Sequence, residues 1–202
     1  MKNMYRLGFL LVLTGALLLA GCAKNTETLE ESRAQESQES RAENSQEQEE
    51  HKEAADGEEV SFEGVDLEGN LVSSSVFSQS KLTMINVWAT YCNPCLREMP
   101  ALGELEKEYD SEEFQILGVI SDVEEKADQE TRDYAAYLIE ETGADYTHLV
   151  LNQSLYEALL TDVTAVPTTF FLDENGVVLD TVIGAMEKSD WEEKIDALLE
   201  EQ

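Results

Sequence analysis

The sequence predicts an α/β fold for residues Val60–Gln202: one mixed central sheet flanked by helices, with an N-terminal β-hairpin extension. Three observations predict it. Apolar runs of strand length alternate with segments of helical periodicity in the order hairpin, β-α-β-α-β-α, hairpin, helix, which places parallel and antiparallel pairs in one sheet. The segment has the length of a single domain of this class. Two cysteines, Cys92 and Cys95, stand where an apolar run gives way to a helical one.

Val60–Val72 alternates in polarity around Glu68-Gly69-Asn70 and reads as the hairpin. Leu82–Trp88 is continuously apolar enough to be a buried strand. Pro94 to Asp110 carries Leu96, Met99, Leu102 and Leu105 at helical spacing, with Pro100 expected to kink the helix. Phe114–Ile120 is a second apolar strand. Asp128 to Thr142 reads as a helix with Tyr134, Leu138 and Ile139 on one stripe, closed by Gly143. Thr147–Leu151 is a short strand and Gln153–Leu160 a short helix. Thr168–Leu172 and Val177–Ile183 form a hairpin across Asp173-Glu174-Asn175-Gly176. Ser189, with Glu192 three residues on, is expected to cap a last helix that ends at Glu200.

Residues 1–21 lie outside this domain. Lys2 and Arg6 precede an apolar run, Leu7 to Ala20, that is short for a membrane span and fits a signal peptide. The run ends Leu19-Ala20-Gly21-Cys22, which resembles a bacterial lipobox and implies cleavage before Cys22 and a lipid on its thiol. An ordinary signal peptide or an uncleaved anchor, with Cys22 incidental, is the alternative. Residues 22–59 then comprise the lipidated cysteine and a linker of Glu, Gln, Ser, Ala and Asn. So few apolar residues cannot offset chain entropy, and a disordered tether of roughly 30–35 Å is expected; a solvated helix is the rival reading.

Charge excludes some partners. The chain carries 44 acidic and 13 basic residues, a formal −31. Nucleic acid, which needs a basic footprint, is excluded as a partner, and anionic headgroups would not attract the domain. Anchoring therefore falls to the lipid at Cys22.

Cys92-Asn93-Pro94-Cys95 is a C-x-x-C pair at a strand-to-helix junction. Its sulfurs can meet across one turn, and the helix N-terminus favours a thiolate on the first. Zinc would need three or four ligands, and only Cys22, His51 and His148 remain as cysteines or histidines, so no metal is expected. A purely structural disulfide would close too short a loop to stabilise much. Redox use is the leading reading, with no cofactor beyond the cysteine pair.

With Val166-Pro167-Thr168 ahead of a later strand, this arrangement resembles the thioredoxin fold, and in particular the extracytoplasmic thioredoxin-like proteins of the TlpA/ResA type. The resemblance covers essentially all of Val60–Gln202. It rests on Asn86 to Cys95, on Glu98-Met99-Pro100, on Val166 to Phe170, and on Gly184 before the last helix. It implies a thiol–disulfide oxidoreductase on the outer face of a bacterial membrane. Cys92 is then the exposed nucleophile and Cys95 the buried resolving thiol. Pro167 is implied to be a cis-proline facing the sulfurs, with the Val166 backbone pairing to a substrate strand. Glu98, three residues after Cys95, is implied to be buried beside the pair and to exchange a proton with Cys95. Thioredoxin itself has an Asp at the position of Asn86, which cannot titrate here. Trp88, Tyr91, Asn93 and Pro94 flank the cysteines as candidate substrate contacts, Trp88 at the core edge and Tyr91 partly exposed. His148 is expected to be a strand-end residue far from the motif.

The expected partners are a protein disulfide, such as an apocytochrome c haem-binding pair or an oxidised repair enzyme, and a membrane thiol that donates electrons. The chain is expected to be a monomer. Asn93 and Pro94 supply no cation to the Cys92 thiolate, which favours a reductant. A disulfide-forming oxidase or isomerase, a lipid-anchored peroxiredoxin-like protein, and a binding module on the same scaffold remain as alternatives.

Overall fold

The structure, a computed structural model, describes residues 59–202. The expected signal peptide, lipidated Cys22 and linker all fall within residues 1–58, outside the described residues. β1 (Glu63–Val65) and β2 (Leu71–Ser73) pair antiparallel, Glu63 opposite Ser73. The Asp66 carboxylate closes their turn by accepting from the backbone N–H and the side-chain amide of Asn70 at 2.7 and 2.8 Å. A 3₁₀ segment, Ser74–Gln79, follows.

β3 (Leu82–Trp88) is buried at every position, as seven consecutive residues with one polar amide and one threonine require. It is followed by α1 (Asn93–Glu108), β4 (Phe114–Glu124), α2 (Gln129–Thr142), β5 (Thr147–Leu151), the single turn α3 (Gln153–Leu155) widening into a π turn to Leu160, β6 (Thr168–Asp173), β7 (Val178–Ile183) and α4 (Lys188–Glu200). The five-stranded sheet has the order β5-β4-β3-β6-β7. β3, β4 and β5 are parallel, and β6 and β7 run antiparallel to their neighbours. Asn86 in β3 stands opposite Gly118 of β4 and Thr169 of β6.

The two faces of the sheet follow from strand alternation. Leu82, Met84, Trp88, Phe114, Ile116, Ile120 and Phe171 meet Met99, Leu102 and Leu105 of α1, Ala135 of α2, and Trp191 and Ile195 of α4. Ile85, Val87, Leu117, Val119, Leu149 and Leu172 on the other face are covered by Val60, Phe62 and Phe77 and by Leu155, Leu159 and Leu160. The second face is thus closed mainly by the N-terminal segment and one short helical stretch. Among the described residues no helix is long and apolar enough to cross a membrane.

Three expectations are corrected. α4 begins at Lys188 with Glu187 as its N-cap, and Ser189 makes no cap hydrogen bond. The Glu187 carbonyl accepts from the N–H groups of Asp190 and Trp191, and Lys188 reaches Glu104 and Glu108 of α1 at 3.0 and 2.7 Å, so the helix starts one residue before the capping-box serine. The buried stripe of α2 runs through Ala135, Leu138 and Ile139, while Tyr134 is half exposed. β4 extends four residues past Ile120, with its register to β5 shifting between Ile120 and Glu124. Both caps of α2 do form: the Asp128 side chain accepts the Thr131 N–H, and Gly143 ends the helix in the left-handed region at φ 67°.

Candidate active site

β3 stops at Trp88, and the loop Ala89–Tyr91 is held before α1 begins. The Asp122 carboxylate, on the extension of β4, accepts from the Thr90 N–H at 3.0 Å and from its hydroxyl at 2.6 Å. Ser121 Oγ donates to the Trp88 carbonyl at 2.9 Å. The Cys92 N–H donates to Ala89 O at 3.0 Å. Cys92 is then the N-cap of α1, in extended conformation, and its Sγ accepts the Cys95 N–H at 3.2 Å. Pro94 sits in the first turn, where a missing N–H costs nothing.

Cys92 and Cys95 are joined as a disulfide with Cα atoms 5.3 Å apart. Cys95 is fully buried and Cys92 is 5% exposed. The expectation of an exposed nucleophile is corrected for this oxidised state: the loop leading into β6 lies against the pair, with Cys92 Sγ 3.6 Å from the Val166 carbonyl oxygen. Cys92 remains the more accessible of the two. The Val166–Pro167 bond is cis, and the Gly184 N–H donates to Pro167 O at 2.9 Å, pinning the loop to the end of β7.

Glu98 is buried on the inner face of α1. Its Oε1 accepts from Asn86 Nδ2 at 3.1 Å and its Oε2 from the Met186 N–H at 3.2 Å. Asn86 Nδ2 also reaches Thr169 Oγ1 at 3.1 Å, so one amide links α1, β3 and β6 two residues after the cis-proline. Burial pushes the Glu98 carboxyl up to about 7, against the smaller opposing effect of the Asn86 and Met186 hydrogen bonds. A second carboxyl on α1, Glu106, is also pushed to about 7 by burial while accepting the Ile116 N–H at 2.7 Å.

Among the flanking residues, Tyr91 is 73% exposed, Asn93 and Pro94 are exposed, and Val166 is half-buried. Trp88 is 0% exposed, so it cannot touch a partner and its expected place among the substrate contacts is corrected. The strand that carries it is covered on both faces. His148 is corrected too. It lies beside the motif, 3.1 Å from Trp88 Nε1, because β4, the one strand between β3 and β5, has Gly118 where the ring passes. Sequence reasoning missed Asp122, and it quoted Thr90 and Thr169 within the motifs without giving either a contact at the site. Only Gly118, a glycine inside an apolar strand, carried a readable signal of close approach. Among the described residues no three His, Cys, Asp or Glu side chains are grouped to hold a metal ion.

The arrangement can cycle one electron pair between disulfide and dithiol, with a buried carboxyl of raised pKa, Glu98, on the same helix. Comparisons with known proteins agree. Residues 54–181 match the AhpC/TSA family. The chain is 34% identical over 133 residues to the thioredoxin-like protein YneN of Bacillus subtilis, covering 61% of this chain and 69% of that protein. It is 32% identical over 120 residues to the thiol-disulfide oxidoreductase ResA of Geobacillus kaustophilus, covering 59% of this chain and 64% of that one, just under two thirds of its length. A thioredoxin-family thiol:disulfide interchange protein from Chlorobium tepidum superposes with a TM-score of 0.60 at 24% identity, over 72% of this chain and 99% of that one. That likeness shows the fold, which is thioredoxin-like.

Proposed function

The chain belongs to the AhpC/TSA family, and from that premise we propose that it is a thiol–disulfide oxidoreductase, like the ResA protein it matches, and that it reduces protein disulfides on the outer face of a bacterial membrane. The observation that carries this reading is the Cys92–Cys95 disulfide closed over the first turn of α1, with Cys92 Sγ 3.6 Å from the Val166 carbonyl oxygen.

In the dithiol form the Cys92 thiolate attacks one sulfur of a partner disulfide. A mixed disulfide forms and one partner thiolate leaves. Cys95 gives its proton to the Glu98 carboxylate and attacks Cys92 Sγ. The second partner thiol leaves, two electrons have passed to the partner, and the Cys92–Cys95 disulfide is restored for reduction by a membrane thiol donor. Tyr91, Asn93, Pro94 and the Val166 backbone offer the partner its contacts. Lipid at Cys22 and the acidic linker would hold the domain near the membrane; the signal-like segment ending Leu19-Ala20-Gly21-Cys22 supports this.

Reduction is favoured over disulfide formation because neither Asn93 nor Pro94 supplies a cation to the Cys92 thiolate, which leaves only the helix N-terminus and the Cys95 N–H to stabilise it. A thiolate so little stabilised leaves the disulfide as the preferred state, which makes the dithiol a reductant. A peroxidase reading would require the purified chain to consume hydroperoxide.

The direct test is capture. A full chain carrying Cys95→Ser cannot resolve its mixed disulfide and is expected to accumulate a discrete, dithiothreitol-sensitive adduct through Cys92, identifiable by mass spectrometry. Absence of any adduct from the native membrane would refute the role.

Glu98→Gln tests the carboxyl. Glu98 holds its proton to about pH 7 folded and releases it near its ordinary 4.5 when unfolded, so folding takes up a proton in between. Its stabilising contribution is complete below about pH 4.5 and is lost as pH rises through about 7, a fall on the order of 2–3 kcal/mol. Unfolding free energies from urea melts at pH 5 and pH 8 should differ less in the variant by that amount, and its exchange rate should lose the part of the wild-type pH dependence that lies near 7 while keeping the part set by Cys92 ionisation. Wild-type rates across that range would remove Glu98 from proton transfer.

A further inference from the structure

The polar groups that the exchange mechanism leaves unused gather behind the disulfide, on the sheet. His148, on β5, is 3% exposed. Its Nε2 lies 2.9 Å from the Ala144 carbonyl oxygen. A carbonyl can only accept, so the ring proton is on Nε2 and Nδ1 is left as an acceptor. That acceptor takes the Trp88 Nε1–H at 3.1 Å. The imidazole stands edge-on to the indole, with centroids 5.6 Å apart, and is backed by the Tyr146 ring at 4.4 Å.

The room for this contact is built into the strand between them. A Cβ on Gly118 would lie 2.1 Å from His148 Nδ1. β3 thus supplies the donor, β4 the gap and β5 the acceptor. Burial pushes the imidazole pKa down to about 4, so Nδ1 stays an acceptor at the pH where thiols exchange. Trp88 in turn ends β3 four residues before Cys92 and shares one buried cluster with Ala89, Cys92, Cys95 and Met99. Its own carbonyl is fixed by Ser121. The indole N–H, held by His148, is the remaining polar handle on that side chain.

We propose that His148 is a positioning residue for the redox pair: by fixing the Trp88 indole it holds the wall against which the Cys92–Cys95 disulfide closes. The inference rests on the reading of that pair as redox-active. Closure of the disulfide is an intramolecular attack whose equilibrium depends on how well the two sulfurs are pre-placed. A loosened wall lowers their effective concentration and shifts the balance toward the dithiol.

The test is the reduction potential of the full chain in detergent, equilibrated against glutathione buffers, for His148→Leu and His148→Asn. The two replacements are nearly equal in shape, and only Asn can accept the Trp88 N–H, with Oδ1 standing where Nδ1 stood. His148→Leu is expected to weaken the disulfide about tenfold, a potential less negative by about 30 mV, while His148→Asn stays within about threefold of wild type. Equal potentials for the two variants overturn the proposal. So does a further shift from His148→Leu, measured on the Trp88→Phe background, as large as its shift on wild type. Should His148→Leu fail to fold, Trp88→Phe alone decides, because loss of the donor should give the same shift and an unchanged potential refutes the role. A wild-type pair that equilibrates with neither glutathione nor dithiothreitol buffers removes the redox reading itself, a result distinct from equal potentials.

Discussion

Serine in place of Cys92 is expected to lower disulfide reduction by at least about a thousandfold, because the thiolate is the attacking group and a serine hydroxyl is not ionised at neutral pH. The measurement is insulin reduction by the dithiol form, compared with buffer alone. The substitution isolates the chemistry unusually well. Cys92 is the N-cap of α1 and its Sγ accepts the Cys95 N–H; serine is among the best N-cap residues, so its Oγ can take over that hydrogen bond. Helix α1 should therefore persist while exchange is lost, and circular dichroism should be unchanged. Wild-type insulin reduction by Cys92→Ser would make the chain a binding module that merely uses this scaffold.

The second large effect concerns stability. Gly103→Ala should raise the intrinsic preference of α1 for helix by about 1 kcal/mol. The structure predicts the opposite net result. A Cβ at residue 103 would lie 2.3 Å from the Gly143 carbonyl oxygen and 3.0 Å from its carbon, both backbone atoms at the end of α2. Backbone cannot swing aside as a side-chain tip can, so α1 and α2 must separate and the packing of Met99 and Leu102 against the sheet is strained. Overpacking of this kind costs on the order of 3 kcal/mol, which exceeds the helix gain. Thermal unfolding should drop by roughly 5–10 °C for a domain of this size. A rise in melting temperature would mean that the two helices do not approach as described.

Much of the fold was legible because single residues decided it. β3 could be read at both ends from its unbroken apolar run, and α2 from Asp128 and Gly143, whose side-chain acceptor and left-handed backbone mark helix ends in almost any context. The turn between β6 and β7 was similarly plain, since the Asp173 carboxylate closes it on Asn175 and Val177. What escaped was set by partners far along the chain. The start of α4 is decided by Glu104 and Glu108, 80 or more residues before Lys188. Trp88 and His148 are 60 residues apart, and nothing local to either reveals that a glycine on the strand between them lets them touch. Asp122 reaches Thr90 because β4 runs on past its apolar stretch, a length fixed by its neighbours in the sheet and not by its own polarity. The reactive pair was visible as a motif, but its burial was not, since the covering loop arrives more than 70 residues later.

The position of the indoles has an optical consequence. The chain has two tryptophans, Trp88 and Trp191, and both lie in the same buried cluster as Cys92 and Cys95. A disulfide quenches nearby indole emission by accepting an electron from the excited ring, and two thiols do so far less. Neither ring meets solvent, so bulk quenchers add little background. The intrinsic fluorescence of the protein is therefore expected to rise when that one bond is reduced, a change readable without a label.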